Sequence, residues 1–343
     1  MGLNIGEIVP RKAVSFSELK GKTIAIDASN VIYQFLSSIR QPDGTPLMDK
    51  KGRITSHLSG LFYRNVNLLL EGMKLIYVFD GKMPDLKYGT IEARKAVKDE
   101  AREKYKKAVS EEDIEEMGKY AKQLTRLTPE IKEESKKLLE AMGIAIVQAP
   151  SEAEAQAAEI SKKKAYAVGS QDYDSLLFGA LRLIQNLTLA RKRKTISGFI
   201  YISPEIIELE KVLNELQINL DQLICLGILV GTDYNRGGVF RIGQKKALDI
   251  VRKYKYPVKI FESVSEQIQK QENKFDWKEI FELFHKADVE KKAEIKFPEI
   301  NETKIKKILV DEHDFNLERV ENQLAKLKKG QEERKQKRLF SLF

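Results

Sequence analysis

The chain of 343 residues contains a single cysteine, Cys225, so it can build neither an internal disulfide framework nor a thiolate metal site. Cys225 stands inside an apolar run and reads as a packed core residue, not a reactive thiol. The three histidines are scattered, without metal-ligand spacing. No apolar run approaches the roughly 20 residues of a membrane-spanning helix, and no signal-peptide pattern opens the chain. Gly6 stands where a myristoylation signal needs Ser or Thr. A soluble, intracellular protein with no membrane role is expected.

Charge is abundant instead. Charged residues make up 32% of the chain, with 60 Lys+Arg against 51 Asp+Glu, a net charge of +9 and a pI near 9.2. Hydrophobic residues at 42% suffice for a sizeable core, and the length suits one large domain with insertions or two smaller ones. The basic excess is modest, but acids gather at the ends of apolar runs. Other surfaces are therefore more basic than the total, which favours a polyanionic partner.

The organising stretch is Ala149-Pro-Ser-Glu-Ala-Glu-Ala155. The β-branched run Gly143–Gln148 before it reads as a buried strand, and Ala155–Ile160 after it as a helix. Pro150 and Ser151 are helix-start signals, and Ser151 with Glu154 fits a capping box. Taken alone, Glu152 and Glu154 have an ordinary explanation as helix-terminus acids worth about 0.3–1 kcal/mol each. Repetition argues for more. Thr23–Ile26 leads to Asp27, Leu75–Phe79 to Asp80, Ala165–Gln171 to Asp172 and Asp174, and the apolar run Ile224–Val230, through Gly231 and Thr232, to Asp233.

The order of elements is βαβ: a strand to Asp27, a helix from about Ser29 to Arg40, a loop or helical hairpin to about Gly52, a helical segment 54–71, and a strand 75–79. This predicts an α/β fold with a mostly parallel central sheet flanked by helices and a ligand site at the strands' C-terminal edge. Residues 82–135 are rich in Lys and Glu and poor in apolar residues, which predicts solvated helices crossing near that edge. Arg191-Lys-Arg-Lys194 reads as a solvated turn or a phosphate contact. Further helices are expected over 204–216, 260–268, 277–285 and 316–328, and a glycine-rich turn from Gly237 to Gly243 opens one running to Tyr254. Backbone amides there, with Lys245 and Lys246, suit a phosphodiester held without sequence reading. Residues 330–338 are expected to be disordered, with the apolar end Leu339–Phe343 as a docking peptide.

Seven carboxylates (Asp27, Asp80, Glu152, Glu154, Asp172, Asp174 and Asp233) at one edge of a sheet cannot all ionise without counter-cations. The acid-bearing motifs contain no cationic side chain, so divalent metal is the natural neutraliser. Oxygen ligands select Mg2+, with Mn2+ able to substitute, over Zn2+. Two such ions roughly 3.5–4 Å apart suit phosphodiester cleavage.

Ile26-Asp-Ala-Ser29, Tyr77-Val-Phe-Asp-Gly81, Ala149-Pro-Ser-Glu-Ala-Glu154, Asp172-Tyr-Asp174 and Gly231-Thr-Asp-Tyr234 resemble, in order and spacing, the flap endonuclease family of structure-specific 5′ nucleases. The resemblance covers essentially the whole chain. It implies a two-metal phosphodiester hydrolase removing 5′ flaps from branched DNA in replication and repair, with 5′-3′ exonuclease activity on nicked or gapped duplex. Asp27, Asp80, Glu152 and Glu154 would serve one metal centre, and Asp172, Asp174 and Asp233 the other. Lys87 and Arg94 match a basic pair at the scissile phosphate, and Tyr33 an aromatic stacking beside the cut. Gly2, Arg40, Arg64, Glu152, Gly231, Asp233, Gly243, Lys245 and Lys246 complete the implied DNA contacts.

The same resemblance implies a helix–turn–helix-like DNA grip over 237–254, often with a monovalent cation, and a helical arch insertion. Gln336, Leu339, Leu342 and Phe343 resemble the peptide that docks on the replication sliding clamp. The regions implied are 1–105 and 136–255 (nuclease, the latter with the grip), 106–135 (arch), 256–329 (C-terminal helices) and 330–343 (clamp tail) of a monomer. Arg241-Ile-Gly243 departs from the grip's usual Gly-hydrophobic-Gly, and Leu342 stands where an aromatic is commoner. A sibling 5′ nuclease preferring bubble or recessed-end DNA is the alternative, as is a non-catalytic, clamp-tethered DNA-binding protein. The clamp-like tail argues against the first and the full set of acids against the second.

Overall fold

A computed structural model of the chain describes residues 3–340 other than 42, 112, 189–191, 196 and 197. Gly2, Arg191, Leu342 and Phe343, singled out above, lie outside these residues. The strands are β1 (Lys12–Ala13), β2 (Thr23–Asp27), β3 (Lys74–Phe79), β4 (Ala145–Gln148), β5 (Ala167–Gly169), β6 (Arg182–Gln185), β7 (Lys192–Thr195), β8 (Gly198–Tyr201) and β9 (Glu205–Glu208). Seven of them form one sheet in the order β1-β9-β6-β5-β2-β3-β4, while β7 and β8 pair as a separate antiparallel ribbon. From β6 to β4 neighbours run parallel; β9 and β1 are antiparallel at one edge.

Helices α1 (Ala28–Ser38) and α2 (Ser56–Leu70) link β2 to β3. Between β3 and β4 come α3 (Tyr88–Ser110), α4 (Ile114–Gln123) and α5 (Pro129–Ala141); α6 (Ala153–Lys163) precedes β5, and α7 (Asp174–Leu177) follows it. After β9 come α8 (Leu209–Glu215), α9 (Leu220–Val230), α10 (Gln244–Tyr254), α11 (Pro257–Glu262), α12 (Ser265–Lys270), α13 (Trp277–His285), α14 (Glu302–Lys306) and α15 (Leu317–Phe340).

The central strands are apolar almost throughout because both faces are covered. Ile24, Ile26, Tyr77 and Phe79 enter one core with α1, α2, α5 and α15. Ala25, Ile76 and Val78, on the alternate side, enter another with α6, α9, α10 and α13. Tyr77 is fully buried, and its hydroxyl donates to Asn65 Oδ1 of α2 at 2.9 Å, which satisfies the polar end.

Some elements differ from the sequence expectations. The run Ile224–Val230 is a helix, not a further strand end: Asn219 and Gln222 form a reciprocal capping box, and Gly231 closes the helix with φ 112°. The helix expected from Pro204 begins only at Leu209, since Glu205-Ile-Ile-Glu208 pairs with β6 and β1. The helix expected over 260–268 is two short ones broken at Ser263 and Val264. Lys192–Lys194 of the basic run lie in a strand rather than a turn. The backbone of 330–340 continues α15 instead of being disordered, in keeping with the helix propensity of its Lys, Glu, Gln and Arg residues. Among the described residues no single helix is long and apolar enough to cross a membrane.

Candidate active site

Four neighbouring strands, β5-β2-β3-β4, deliver acids at one edge. Asp27 ends β2, Asp80 follows β3, Glu152 follows β4, and Asp172 and Asp174 follow β5. The chain proceeds from β2 outward through β3 and β4, then returns to β5 on the other side of β2, so the acids flank a topological switch point. Asp233 arrives from the end of α9.

Backbone pairing beyond the strands fixes the turns that carry these acids. Gly81 N–H donates to Ser151 O at 2.7 Å and Lys82 N–H to Pro150 O at 2.9 Å. A Cβ on Gly81 would lie 2.1 Å from Ala149 O, so only glycine permits the approach. The expected capping box at Ser151 and Glu154 does not form. Glu152 is the residue before α6, without a side-chain cap of its own, and Ala153 N–H donates instead to Asp80 Oδ1 at 2.9 Å. Capping from a neighbouring strand leaves both glutamates free of that duty.

Glu152 is paired with Lys87, whose Nζ lies 2.5 Å from Glu152 Oε2 and 3.7 Å from Asp233 Oδ2. A cation thus enters the acid cluster from outside the acid-bearing motifs, and metal is not the sole neutraliser within reach. One ammonium does not balance seven carboxylates. Burial, then the charge of Asp80, pushes Asp27 up to about 8. Burial, then Asp233 and Asp172, pushes Asp174 up to about 7. Glu154 is raised well above the ordinary carboxylate range by burial and by Asp174, Asp27 and Asp172. Burial raises Glu152 against the pull of Lys87. Burial would lower Lys87, but Glu152 and Asp233 hold it above its ordinary value. These shifts link all seven acids into one electrostatic unit.

Polar neighbours that sequence reasoning left without a role support the cluster. Ser29 donates to Asp80 Oδ2; Asn30 donates through Nδ2 to Asp172 Oδ2 at 2.6 Å and through its backbone to Asp27 Oδ1 at 3.1 Å. Their signal was their place in the first turn after Asp27. Leu3 N–H reaches Asp174 Oδ2 at 3.4 Å across 171 residues, a contact with no local signal. Tyr234 brings an aromatic face to 5.3 Å from Lys87 Nζ.

The remaining candidates are dispersed. Arg94 stands on α3, Gln336 and Leu339 on α15. Tyr33, on α1, is 40% exposed, as a stacking residue needs to be. Arg40 also has partners within the protein: it donates to Ser37 O, to Gly44 O at 2.7 Å and to Thr125 Oγ1 at 2.5 Å, tying the end of α1 to the segment after α4. Arg64 is half-buried on α2. Gly231 packs against the turn before α10, where a Cβ would meet Gly238 N at 2.6 Å. Gly243 is the residue before α10, with Lys245 and Lys246 exposed in its first turn.

Among the described residues no trio of acids is drawn together into a finished metal shell. The donor set nevertheless fits hard dications. Glu154 Oε1 and Asp174 Oδ1 are buried with no hydrogen-bond partner, a costly state for carboxylate oxygens unless an ion completes them.

Residues 5–101 match the XPG N-terminal domain and residues 143–233 the XPG I-region. The chain is 52% identical to flap endonuclease 1 of Pyrococcus furiosus, covering 100% of this chain and 99% of that protein. It is 51% identical to the Thermococcus onnurineus protein of the same name, with the same coverage. The solved structure of flap endonuclease-1 from Methanococcus jannaschii superposes with a TM-score of 0.73 at 43% identity, covering 96% of this chain and 98% of that one. The chain belongs to the flap endonuclease family. It is accordingly a structure-specific 5′ nuclease, hydrolysing phosphodiester bonds, and the family is metal-dependent.

Proposed function

We propose that this flap endonuclease cuts branched DNA at the base of 5′ flaps, with 5′-3′ exonuclease action on nicked or gapped duplex, through two Mg2+ ions held by the seven carboxylates. Mn2+ can substitute. The observation that carries this reading is the electrostatic unit of seven acids, six ending or following four adjoining strands and Asp233 following α9, two of whose oxygens are buried and unpartnered. Asp27, Asp80, Glu152 and Glu154 would hold one ion, and Asp172, Asp174 and Asp233 the other. Bound there, the ions supply positive charge for the attacking and leaving oxygens of an in-line displacement.

The chain's own residues bind and orient the DNA. Lys87 and Arg94 bring charge to the scissile phosphate, where it matters most as negative charge develops. Tyr33 offers an exposed ring for a nucleotide beside the cut. Gly243, Lys245 and Lys246 grip duplex backbone without reading sequence, aided by a monovalent cation, and Gly2, Arg40, Arg64 and Gly231 contribute further contacts. Residues 106–135 form the arch for the single-stranded flap between the nuclease regions 1–105 and 136–255, with the helices of 256–329 behind. In the tail 330–343, Gln336, Leu339, Leu342 and Phe343 dock a monomer of the enzyme on the replication sliding clamp, in the compartment that holds the DNA.

The test is incision of a labelled 5′ flap with Mg2+. Asp174→Ala and Glu154→Ala should each lower the rate by about 10³-fold or more while flap affinity changes little. Near wild-type cutting by either variant would show that the site is assigned wrongly.

A further inference from the structure

Lys87 ends a short turn, Asp85–Lys87, at the base of α3, and its ammonium is turned into the acid cluster. Its two carboxylate partners, Glu152 at 2.5 Å and Asp233 at 3.7 Å, belong to the two different ion centres proposed above. One ammonium therefore spans both. Its side chain is only 16% exposed, so the contact is no loose surface pair. Beside it lies the Tyr234 ring, with Nζ 5.3 Å from the centroid, a distance at which a cation is attracted to the ring face. Tyr234 is itself braced: its ring meets Phe284 of α13 edge-on at 5.5 Å, and Phe284 packs on Phe178 at 4.7 Å.

Without dications the clustered carboxylates repel one another, and an ammonium among them lowers that cost. Each oxygen it occupies is then withheld from an incoming ion. We propose that Lys87 is the resident counter-ion of the DNA-free site, stationed there by Tyr234, and that it must leave Glu152 and Asp233 before those acids take up metal. A phosphodiester at the site offers the departing ammonium another anion, so DNA arrival and ion uptake favour each other through one side chain. Lys87 thus has two successive partners, and Tyr234 is a positioning residue acting through it.

This inference rests on the ion-binding reading above, and one measurement separates the two. Mn2+ is titrated into the full-length protein without DNA, and free ion is followed by its electron paramagnetic resonance signal. Lys87→Met should bind Mn2+ about fivefold tighter or more than wild type, the lower end of ordinary coupling between sites. Lys87→Arg, which keeps the charge, should stay within about twofold of wild type. Tyr234→Leu should shift affinity in the direction of Lys87→Met, whereas Tyr234→Phe, which keeps the ring face, should match wild type. Circular dichroism melts confirm that each variant is folded. Unchanged or weaker binding in Lys87→Met overturns the counter-ion role. Equal tightening in Tyr234→Phe and Tyr234→Leu overturns the stationing by the ring. No Mn2+ uptake by wild type or by Lys87→Met overturns the ion-binding reading itself.

Discussion

Asp80 Oδ1 accepts the backbone N–H of Ala153 at 2.9 Å, so the acid that follows one strand caps the helix that follows the next. Gly81, beside it, is bound at 2.7 Å to Ser151 O. Gly81→Ala should drive these turns apart, because the added Cβ would lie 2.1 Å from Ala149 O and 2.3 Å from Pro150 O. Overpacking of this kind costs about 1–3 kcal/mol. Thermal unfolding should show that loss, and incision should slow markedly because Asp80, Glu152 and Glu154 lose their register. A variant with wild-type stability and rate would mean the stitching is dispensable.

The acid cluster should be a stability burden when no dication is bound. Asp174→Asn removes a buried negative charge facing Asp172 and Asp233. At neutral pH in EDTA it should melt higher than wild type, by roughly 1–3 kcal/mol. Adding Mg2+ should narrow the gap, since only wild type gains the full stabilisation of binding. A variant that melts lower in EDTA would contradict the burden.

A second cluster contributes to the pH dependence with the opposite sign to the raised acids Asp27, Glu154 and Asp174. Asp49, His57, Glu134 and His313 meet where α2, α5 and the C-terminal segment pack: His313 Nδ1 lies 3.1 Å from Asp49 Oδ2, and His57 Nε2 lies 3.2 Å from Glu134 Oε2. Burial lowers His57 from its ordinary value despite Glu134. The unfolded chain therefore takes up a proton below about pH 6.5 that the fold resists, and stability is lost as pH falls through that value. Burial alone would raise Asp49, but hydrogen bonds from Arg53 and His313 hold it at about 2. Its contribution is present above about pH 4 and disappears from there toward pH 2. Denaturant unfolding between pH 7.5 and 5 should show wild type losing stability relative to His57→Gln as pH falls, a difference in which the opposite contribution of Asp27, Glu154 and Asp174 cancels; a difference that stays constant with pH would contradict it.

Removing residues 336–343 should leave cleavage of free flaps intact and abolish stimulation by the sliding clamp. Incision assays with and without the clamp check this, and undiminished stimulation would exclude a docking role for the tail.

The acids were legible in sequence because each lies just beyond an apolar run, as Asp27 follows Thr23–Ile26, and parallel strands carry six of the seven to one edge. The run before Asp233 was equally apolar, but its helical state depends on the reciprocal cap of Asn219 and Gln222 and on burial all round, which hides periodicity. Strand β9 escaped because its pairing is non-local. The capping box failed because Asp80, 73 residues distant, takes the helix amide. Lys87 was visible as a basic residue at the base of a charged segment. That it turns inward onto Glu152, 65 residues away, is a tertiary fact with no local pattern.

The most direct measurement is initial cleavage rate on 5′-flap, bubble and recessed-end DNA, each with Mg2+ and with EDTA. The expected result is incision that requires Mg2+ and is fastest on the flap. Cutting that persists in EDTA, or no cutting of any branched substrate with Mg2+ present, would contradict a carboxylate-held metal site that cleaves flaps.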